Sequence, residues 1–517
     1  MLRFDLRRDR IMIPLYIAIF VMIVASTASQ SESLYATQAE RNDYAATVAG
    51  NPGMVALVGP AYAVTNVGGD TACQMGGLGA VAAALMSMVL IGRHTRTEEQ
   101  SGRSELVRAG VLGRYAPTVA ALVIVVATNL VLAGAIAASL IAMDLATAGS
   151  IALGVQLGAV GLAFGGVAAV AVQVNQTTSG AYGLVGAVLG ASYLLRAVGD
   201  VGDGTLSWLS PIGWGQSLRP FAGERWWPLA LLLGTAVVLV AAALALLARR
   251  DDGAGIVAPK PGPPSAGPWL VRPFGLALRL QRNALVGWTL ALFLSGVATG
   301  SIAQDARSVL GDSATVQDLY GQAGGSLVDN YLAVSLLSLA QIGTAFAIQS
   351  ALRLRGEEGA GRVESLLAGA LSRWRWAASH LAVALAGTVI VVGAGGLGAG
   401  IADALVAGDV GRLGHSFGAG LSMVPAVWVM VGLAMLLFGL VPRAALAAWG
   451  ALGACFMLAY LGPLLSLPDA VMDLSPYTHL PLLPADDFAL GPLVALTAVA
   501  GALLAAGMVA FRRRDVG

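Results

Sequence analysis

The sequence predicts an all-α integral membrane protein of twelve transmembrane helices, built as two homologous six-helix halves. Three observations carry this. Hydrophobic residues make up 57% of the 517 positions and charged residues only 11%, with a mean hydropathy of +0.76, a balance that suits a bilayer rather than a soluble core. Apolar runs recur at the length of about 20 residues that a helix needs to cross hydrocarbon. And one charged segment occurs twice, 259 residues apart.

In the first half the apolar runs fall near 11–29, 73–92, 117–143, 149–174, 179–198 and 227–248. In the second they fall near 284–304, 331–352, 377–402, 418–440, 444–464 and 490–511. None shows the period-two alternation of a membrane barrel strand, so helices are expected. The halves are 1–250 and 270–517, joined by a Pro/Gly-rich stretch at 251–269 that holds Lys260, the single lysine. Such a linker is extended and semi-flexible. Basic lead-ins at 1–10 and 270–283 precede the first run of each half.

The repeated segment reads Arg96-Thr97-Glu98-Glu99, Gly102-Arg103, Glu105, Ala109-Gly110, Leu112 and Arg114 in the first copy. It returns as Arg355-Gly356-Glu357-Glu358, Gly361-Arg362, Glu364, Ala368-Gly369, Leu371 and Arg373, with ten identical positions and no gap. Leu209-Ser210-Pro211 is echoed by Leu474-Ser475-Pro476, and Arg249-Arg250-Asp251 by Arg513-Arg514-Asp515. A register that holds from start to end marks each half as a complete unit.

Arginine placement sets the orientation. With the N-terminus inside, 24 basic residues fall on the inner face and only Arg41, Arg196, Arg219, Arg225, Arg307 and Arg412 on the outer one; cytoplasmic loops retain positive charge. Both termini, both charged segments and the linker are then cytoplasmic. A cleaved secretory signal would also fit the first basic-then-apolar stretch, but the same arrangement recurs mid-chain at Arg282, where a removable signal has no reason to stand.

The charged segments are expected to form short helices over 98–109 and 357–368, with Glu99–Arg103 and Glu358–Arg362 as i,i+4 pairs. Orientation explains the arginines but not three matched glutamates, because acidic residues contribute little to topology. A mixed-charge segment presented twice suggests docking onto a partner with pseudo-twofold symmetry.

Several chemistries lack their residues. Lys260 is followed by proline, and no G-x-x-x-x-G-K-[ST] loop exists to cradle a nucleotide's phosphates. Cys73 and Cys455 are isolated in apolar runs, and His94, His380, His415 and His479 have no metal-ligand spacing, so no metal site is expected. The Gly393-Ala-Gly395-Gly-Leu-Gly398 match to a dinucleotide fingerprint lies within an apolar run, where small residues serve helix packing.

The Arg-x-Glu-Glu-x-x-Gly-Arg-x-Glu pattern after the second helix, the basic lead-in before the first and the Ser-Pro segment before the sixth resemble permeases of ATP-binding-cassette exporters. The resemblance covers essentially the whole chain. It is strongest to fused twelve-helix permeases of polyketide-antibiotic and multidrug exporters, of type V-like architecture. It implies that Glu98, Glu99, Gly102, Arg103, Glu105, Glu357, Glu358, Gly361, Arg362 and Glu364 belong to two coupling helices that fit clefts on an ATPase. Residues 1–10 and 270–283 would be elbow helices, and 199–226 and 465–489 outer re-entrant elements. Because this chain holds both halves, it would need two copies of a separate ATPase subunit; ATP and Mg would be bound there, and the permease itself would be neither an enzyme nor a cofactor protein. The partners implied are that ATPase, the lipid bilayer and a small hydrophobic or amphipathic substrate, with no nucleic acid.

A pathway between the halves, lined by the second and fifth helices of each, would draw on Gln74, Met86, Met88, Tyr182, Tyr193, Gln341, Phe346, Gln349, Trp449, Phe456 and Tyr460. Met and aromatic side chains suit amphipathic ligands of varied shape. Each of these residues also suits plain helix packing or lipid contact. A proton-coupled twelve-helix carrier is the alternative, but it needs ionisable groups inside the membrane, and the predicted spans are nearly free of charge, with Asp144 and Asp403 at outer boundaries. The outer acidic pairs Asp200/Asp203 and Asp486/Asp487 raise a third option, a membrane enzyme, yet neither has a histidine near it or a matching pair in the other half. Arginine in place of lysine, with abundant alanine and glycine, suggests a GC-rich bacterial gene and hence the plasma membrane.

Overall fold

A computed structural model describes residues 1–34, 37–102, 113–251, 253–257, 264–305, 326–461 and 467–514. Among them are twelve helices long and apolar enough to cross a membrane, and no strand. We number them α1 (Met12–Leu34), α2 (Val67–His94), α3 (Ala116–Ile141), α4 (Thr147–Val174), α5 (Thr178–Val201), α6 (Trp227–Arg249), α7 (Pro273–Ile302), α8 (Leu327–Ala351), α9 (Arg373–Ala407), α10 (Gly411–Ser422 continuing as Val424–Leu440), α11 (Ala447–Leu461) and α12 (Leu490–Arg513). The chain divides into two compact units, Met1–Gly262 and Pro263–Gly517.

Helices such as α2 and α8 start before their apolar runs because their first turns are polar and capped. Asn66 caps α2 by accepting from the Gly69 amide, Thr177 caps α5 through Gly180, and Ser326 caps α8 through Asp329. Each side-chain oxygen satisfies a donor that the first helical turn leaves free. The break inside α10 falls at Met423, with Pro425 in the first turn of the second segment.

Two helices stand where hydropathy indicates none, at Gln38–Gly50 and Pro52–Val58. The first starts in a capping box, with Thr37 accepting from the Glu40 amide and Glu40 accepting from the Thr37 amide. The second starts on an Asn51 cap with Pro52 in the first position. The lead-ins also differ. Leu2–Arg8 is a separate helix before α1, whereas the stretch expected as an elbow at 270–283 begins its helix at Pro273 and runs unbroken into α7.

In the first unit α4 is the most enclosed helix and packs against α2, α3 and α6. Lipid offers no hydrophobic drive for helices to associate, so close backbone approach through small residues takes over. Gly154 of α4 lies so near α3 that a Cβ there would stand 2.2 Å from the Ala133 carbonyl oxygen. In the second unit α7 and α9 make the closest pair. A Cβ on Gly296 would stand 2.1 Å from the Gly395 carbonyl oxygen, and one on Gly398 would stand 2.2 Å from that of Phe293. Gly395 and Gly398 of the fingerprint-like stretch thus seat α7 on α9, while Gly393 and Gly396 face α10.

Gly296→Leu is expected to lower the yield of monodisperse protein in size-exclusion chromatography severalfold, since overpacking a tight contact costs about 1–3 kcal/mol. Gly287→Leu, on the same helix with open space at its Cβ, is expected to leave the yield unchanged.

Candidate coupling site

The repeated segment does not stand free below the first unit; it is tied into it. After α2 the chain turns at Thr95 and forms a short helix, Arg96–Gln100. Arg96 is buried, and its guanidinium donates to the Val172 carbonyl at the end of α4, to the Ala254 carbonyl beyond α6, and to Glu99 Oε2 at 2.7 Å. Glu99 also accepts two bonds from Arg250, at 2.5 and 3.0 Å. Arg250 follows the last residue of α6 and donates further to Gln173 and Ala254. Arg114, just before α3, donates to the Arg250 carbonyl. Gln100 accepts from the Thr178 hydroxyl at the start of α5.

The second unit repeats the arrangement. Glu358 accepts from Arg514 at 2.8 Å, Arg514 follows the last residue of α12, and Arg373 at the start of α9 donates to the Arg514 carbonyl at 2.9 Å. The Arg514 guanidinium also lies over the rings of Phe438 and Phe511, at 5.1 and 5.5 Å. Thus Glu99/Glu358, Arg114/Arg373 and Arg250/Arg514, all matched in the tandem sequence, form one three-part clasp in each unit. It ties the segment after the second helix, the start of the third and the end of the sixth. Charge-assisted bonds of this kind are about twice as strong as neutral ones.

The glycines of the repeat have a backbone reason. Gly102 has φ +72° and Gly361 φ +67°, the left-handed region that side chains other than glycine's disfavour. Consequently the segment expected as one helix over 357–368 is two, Arg353–Gly359 and Arg362–Leu367. That corrects the expected pairing as well. Arg362 is re-aimed from Glu358 to Glu357, at 2.6 and 3.2 Å, and Arg353 completes the pocket around the Glu357 carboxylate at 2.8 Å. Of the stretch expected over 98–109, the helix described ends at Gln100; Arg103 and Glu105 lie outside the described residues.

Glu98 pairs with Arg8 of the N-terminal helix. That helix is bound a second time at the end of α2, where His94 meets Asp9 at 2.7 Å and Asp5 at 3.5 Å, and Arg93 meets Asp9 at 2.9 Å. Burial pushes the Asp5 carboxyl above its ordinary value, against the opposing pull of His94. Among the polar side chains exposed on the repeated segments are Thr97, Gln100 and Ser101 in the first unit and Arg362, Glu364 and Ser365 in the second.

The expected pathway residues fall into four groups. Met86 and Phe346 are core residues of the first and second units, and Met88 is half-buried against the core that holds Met86. The Tyr182 ring fills the slot at Gly92, and the Tyr193 hydroxyl donates to the Leu57 carbonyl at 2.6 Å. Among the polar members, Gln74 donates to Asp70 at 2.9 Å, exposed Gln349 accepts from Trp288 at 2.9 Å, and Gln341 is 1% exposed with no partner for its Nε2 among the described residues. Trp449 is exposed and Phe456 half-buried; the Tyr460 side chain lies outside the described set.

Three polar features escaped sequence reasoning. Asp70 and Asp329 occupy the first turns of α2 and α8, 259 residues apart, so extending the repeat comparison upstream finds them. Asp403 is fully buried and held by Arg412 and Gln304, both at 2.6 Å. Arg196 is fully buried against the carbonyls of Val55, Ala56 and Leu57. Gln304 lies 99 residues from Asp403, and Ala56 lies 140 from Arg196, separations that leave no local signal.

Twelve spans and one clasp built twice define a duplicated multi-pass membrane protein. Residues 270–512 match the family described as "Multidrug efflux system permease Rv1217c, C-terminal domain". Over 520 residues the chain is 41% identical to the multidrug efflux system permease protein Rv1217c of Mycobacterium tuberculosis (strain ATCC 25618 / H37Rv), covering 100% of this chain and 94% of that protein. The chain belongs to the Rv1217c family of multidrug efflux system permeases.

The clasp can be tested by a double-mutant cycle on Glu358→Gln and Arg514→Gln. Thermal unfolding of the detergent-solubilised protein is expected to yield a coupling energy of about 1–3 kcal/mol; strictly additive losses would remove the ion pair as a stabilising element.

Proposed function

We propose that the chain is the permease subunit of an ATP-binding-cassette exporter, working with two copies of a separate ATPase subunit to move hydrophobic or amphipathic compounds out of a bacterial cell across the plasma membrane. Membership in a family of multidrug efflux permeases supports the transport role. The observation that carries the coupling is the clasp, because it gives each repeated segment a rigid connection into the bundle. Force applied to the segment 96–102 passes through Glu99 and Arg250 to the end of α6, and through Arg96 to the end of α4. In the second unit Glu358 and Arg514 pass it to α12.

This reading divides the labour among the matched residues. Glu99 and Glu358 are engaged inside their own units, so docking falls to the exposed residues, Thr97 and Gln100 on one segment and Glu364 and Ser365 on the other. ATP and Mg belong to the ATPase. Both termini are then cytoplasmic, the N-terminal ends of α2 and α8 face outward, and Gln341 and Gln349 rank first among residues a substrate would meet, since polar groups facing lipid are costly.

Coexpressed with its ATPase, the permease is expected to purify with two ATPase copies. Glu364→Arg is expected to cut the bound ATPase at least about fivefold, a rim-charge effect of order 1 kcal/mol, with unfolding temperature unchanged. Recovery of the permease alone, with transport that collapses with the proton gradient and ignores ATP, would place it among proton-coupled carriers instead.

A further inference from the structure

At the α2 N-terminal end of the first unit, opposite the clasp, a cavity of about 370 Å³ opens beside the segment that joins α5 to α6. That is within the range of about 300–1,000 Å³ usual for small-molecule sites. Its polar lining carries two carboxylates, Asp200 and Asp203, and two guanidinium groups, Arg219 and Arg225. Trp208 and Trp227 stack on each other at its wall, 5.1 Å between ring centroids, and both are exposed. Paired opposite charges beside exposed indoles at a helix-bundle end fit the polar boundary of a bilayer, where tryptophan concentrates.

Gln216 closes the cavity from below, its Nε2 donating to the Val58 carbonyl. The wall is also held in a strained form: Arg219 has φ +53° and Phe221 φ +60°, an expense on the order of 1–3 kcal/mol each for side chains in this region. The Phe221 ring holds the strain in place by lying in slots at Gly68 and Gly149, where a Cβ would stand 2.5 and 2.2 Å from it. The Arg219 guanidinium is thereby set over the Tyr62 ring, 4.4 Å from its centroid.

We propose that this cavity binds the headgroup of a zwitterionic phospholipid. The phosphate meets Arg219 and Arg225, and the ammonium meets Asp203 and the faces of the tryptophans, which attract cations. Thr205 supports this by donating its amide to Asp203 at 3.0 Å, which holds that exposed carboxyl below the usual range and keeps it ionised. Asp200 serves as the inner wall, already engaged by Ser207 at 2.6 Å and Arg196 at 3.5 Å. Leu206 and Leu209, exposed on the same segment, offer apolar surface to the acyl chains. On the orientation proposed above the lipid belongs to the outer leaflet, but the site itself depends only on the chain's residence in a membrane.

The test is lipid retention by the full-length permease. Reconstituted in nanodiscs of equimolar phosphatidylethanolamine and phosphatidylglycerol, then extracted and analysed by mass spectrometry, the protein is expected to retain the zwitterionic lipid severalfold over the anionic one. Arg219→Gly relaxes the backbone while removing the guanidinium, and Asp203→Asn removes an exposed charge. Each is expected to lower that enrichment at least about fivefold, as loss of one charge-assisted contact implies, with unfolding temperature unchanged or raised. Equal retention of both lipids, or full enrichment in both variants, would overturn the proposal. Soluble glycerophosphoethanolamine separates the sources: weak competition supports a membrane lipid, whereas competition as strong as the intact lipid's would reassign the site to a free phosphoamine.

Discussion

The two units depend on a pair of arginines that close the bundle where its last helix ends. The C-terminus of a helix presents unpaired carbonyls and a partial negative charge, and α6 and α12 each finish there with Arg250 or Arg514 as the cap residue. Each arginine sends its guanidinium to the glutamate after the second helix and receives on its own carbonyl the guanidinium of the arginine before the third. One residue thereby neutralises a half-buried acid and has its own terminal carbonyl satisfied. Losing either partner would leave a charge largely shielded from water, a change worth roughly 3–5 kcal/mol in buried pairs.

This matters more in a membrane protein than in a soluble one. The helices are held laterally by contacts such as Gly296 on Gly395 and Gly154 on Ala133, which are tight but carry no directional polarity. Polar closure at the bundle ends supplies direction. At the clasp end of the first unit it comes from Arg96, Arg250 and the Asp9–His94 contact. At the other end it comes from Arg196 on the carbonyls of the Pro52–Val58 helix, and from Gln216 on Val58. The second unit uses Arg412 on Asp403 at that end. Small-residue packing brings the helices together, and buried cations determine which ends meet.

The spans were legible because hydropathy reports the lipid-facing middle of a helix, and each of the twelve runs found there holds a membrane-length helix among the described residues. Their ends were less legible, since capping depends on single residues such as Asn66 and Ser326 that carry no periodic signal. The helices at Gln38–Gly50 and Pro52–Val58 were missed for a related reason: they are too short or too polar for a hydropathy window, although the Thr37/Glu40 box and Asn51-Pro52 mark their starts. For the site, the repeat identified Glu99, Glu358, Arg114, Arg373 and the two closing arginines as matched residues. What it did not reveal was that they belong together, because Glu99 and Arg250 are 151 residues apart, far beyond any helical spacing rule.

The same limit explains why the i,i+4 reading of Glu358 and Arg362 failed. A spacing rule assumes a continuous helix, and the glycine between them, itself matched in the repeat, is the residue that ends it. Gly361 turns Arg362 toward Glu357 and frees Glu358 to reach the end of α12. A non-glycine residue there would favour the continuous helix and draw Arg362 back toward Glu358, in competition with Arg514. Matching of glycine, glutamate and arginine across the tandem repeat is therefore what an internal closure requires, and it does not by itself identify a surface for a partner. Burial separates the two positions: Glu358 is spent within its unit, while Glu364, six residues on, remains exposed.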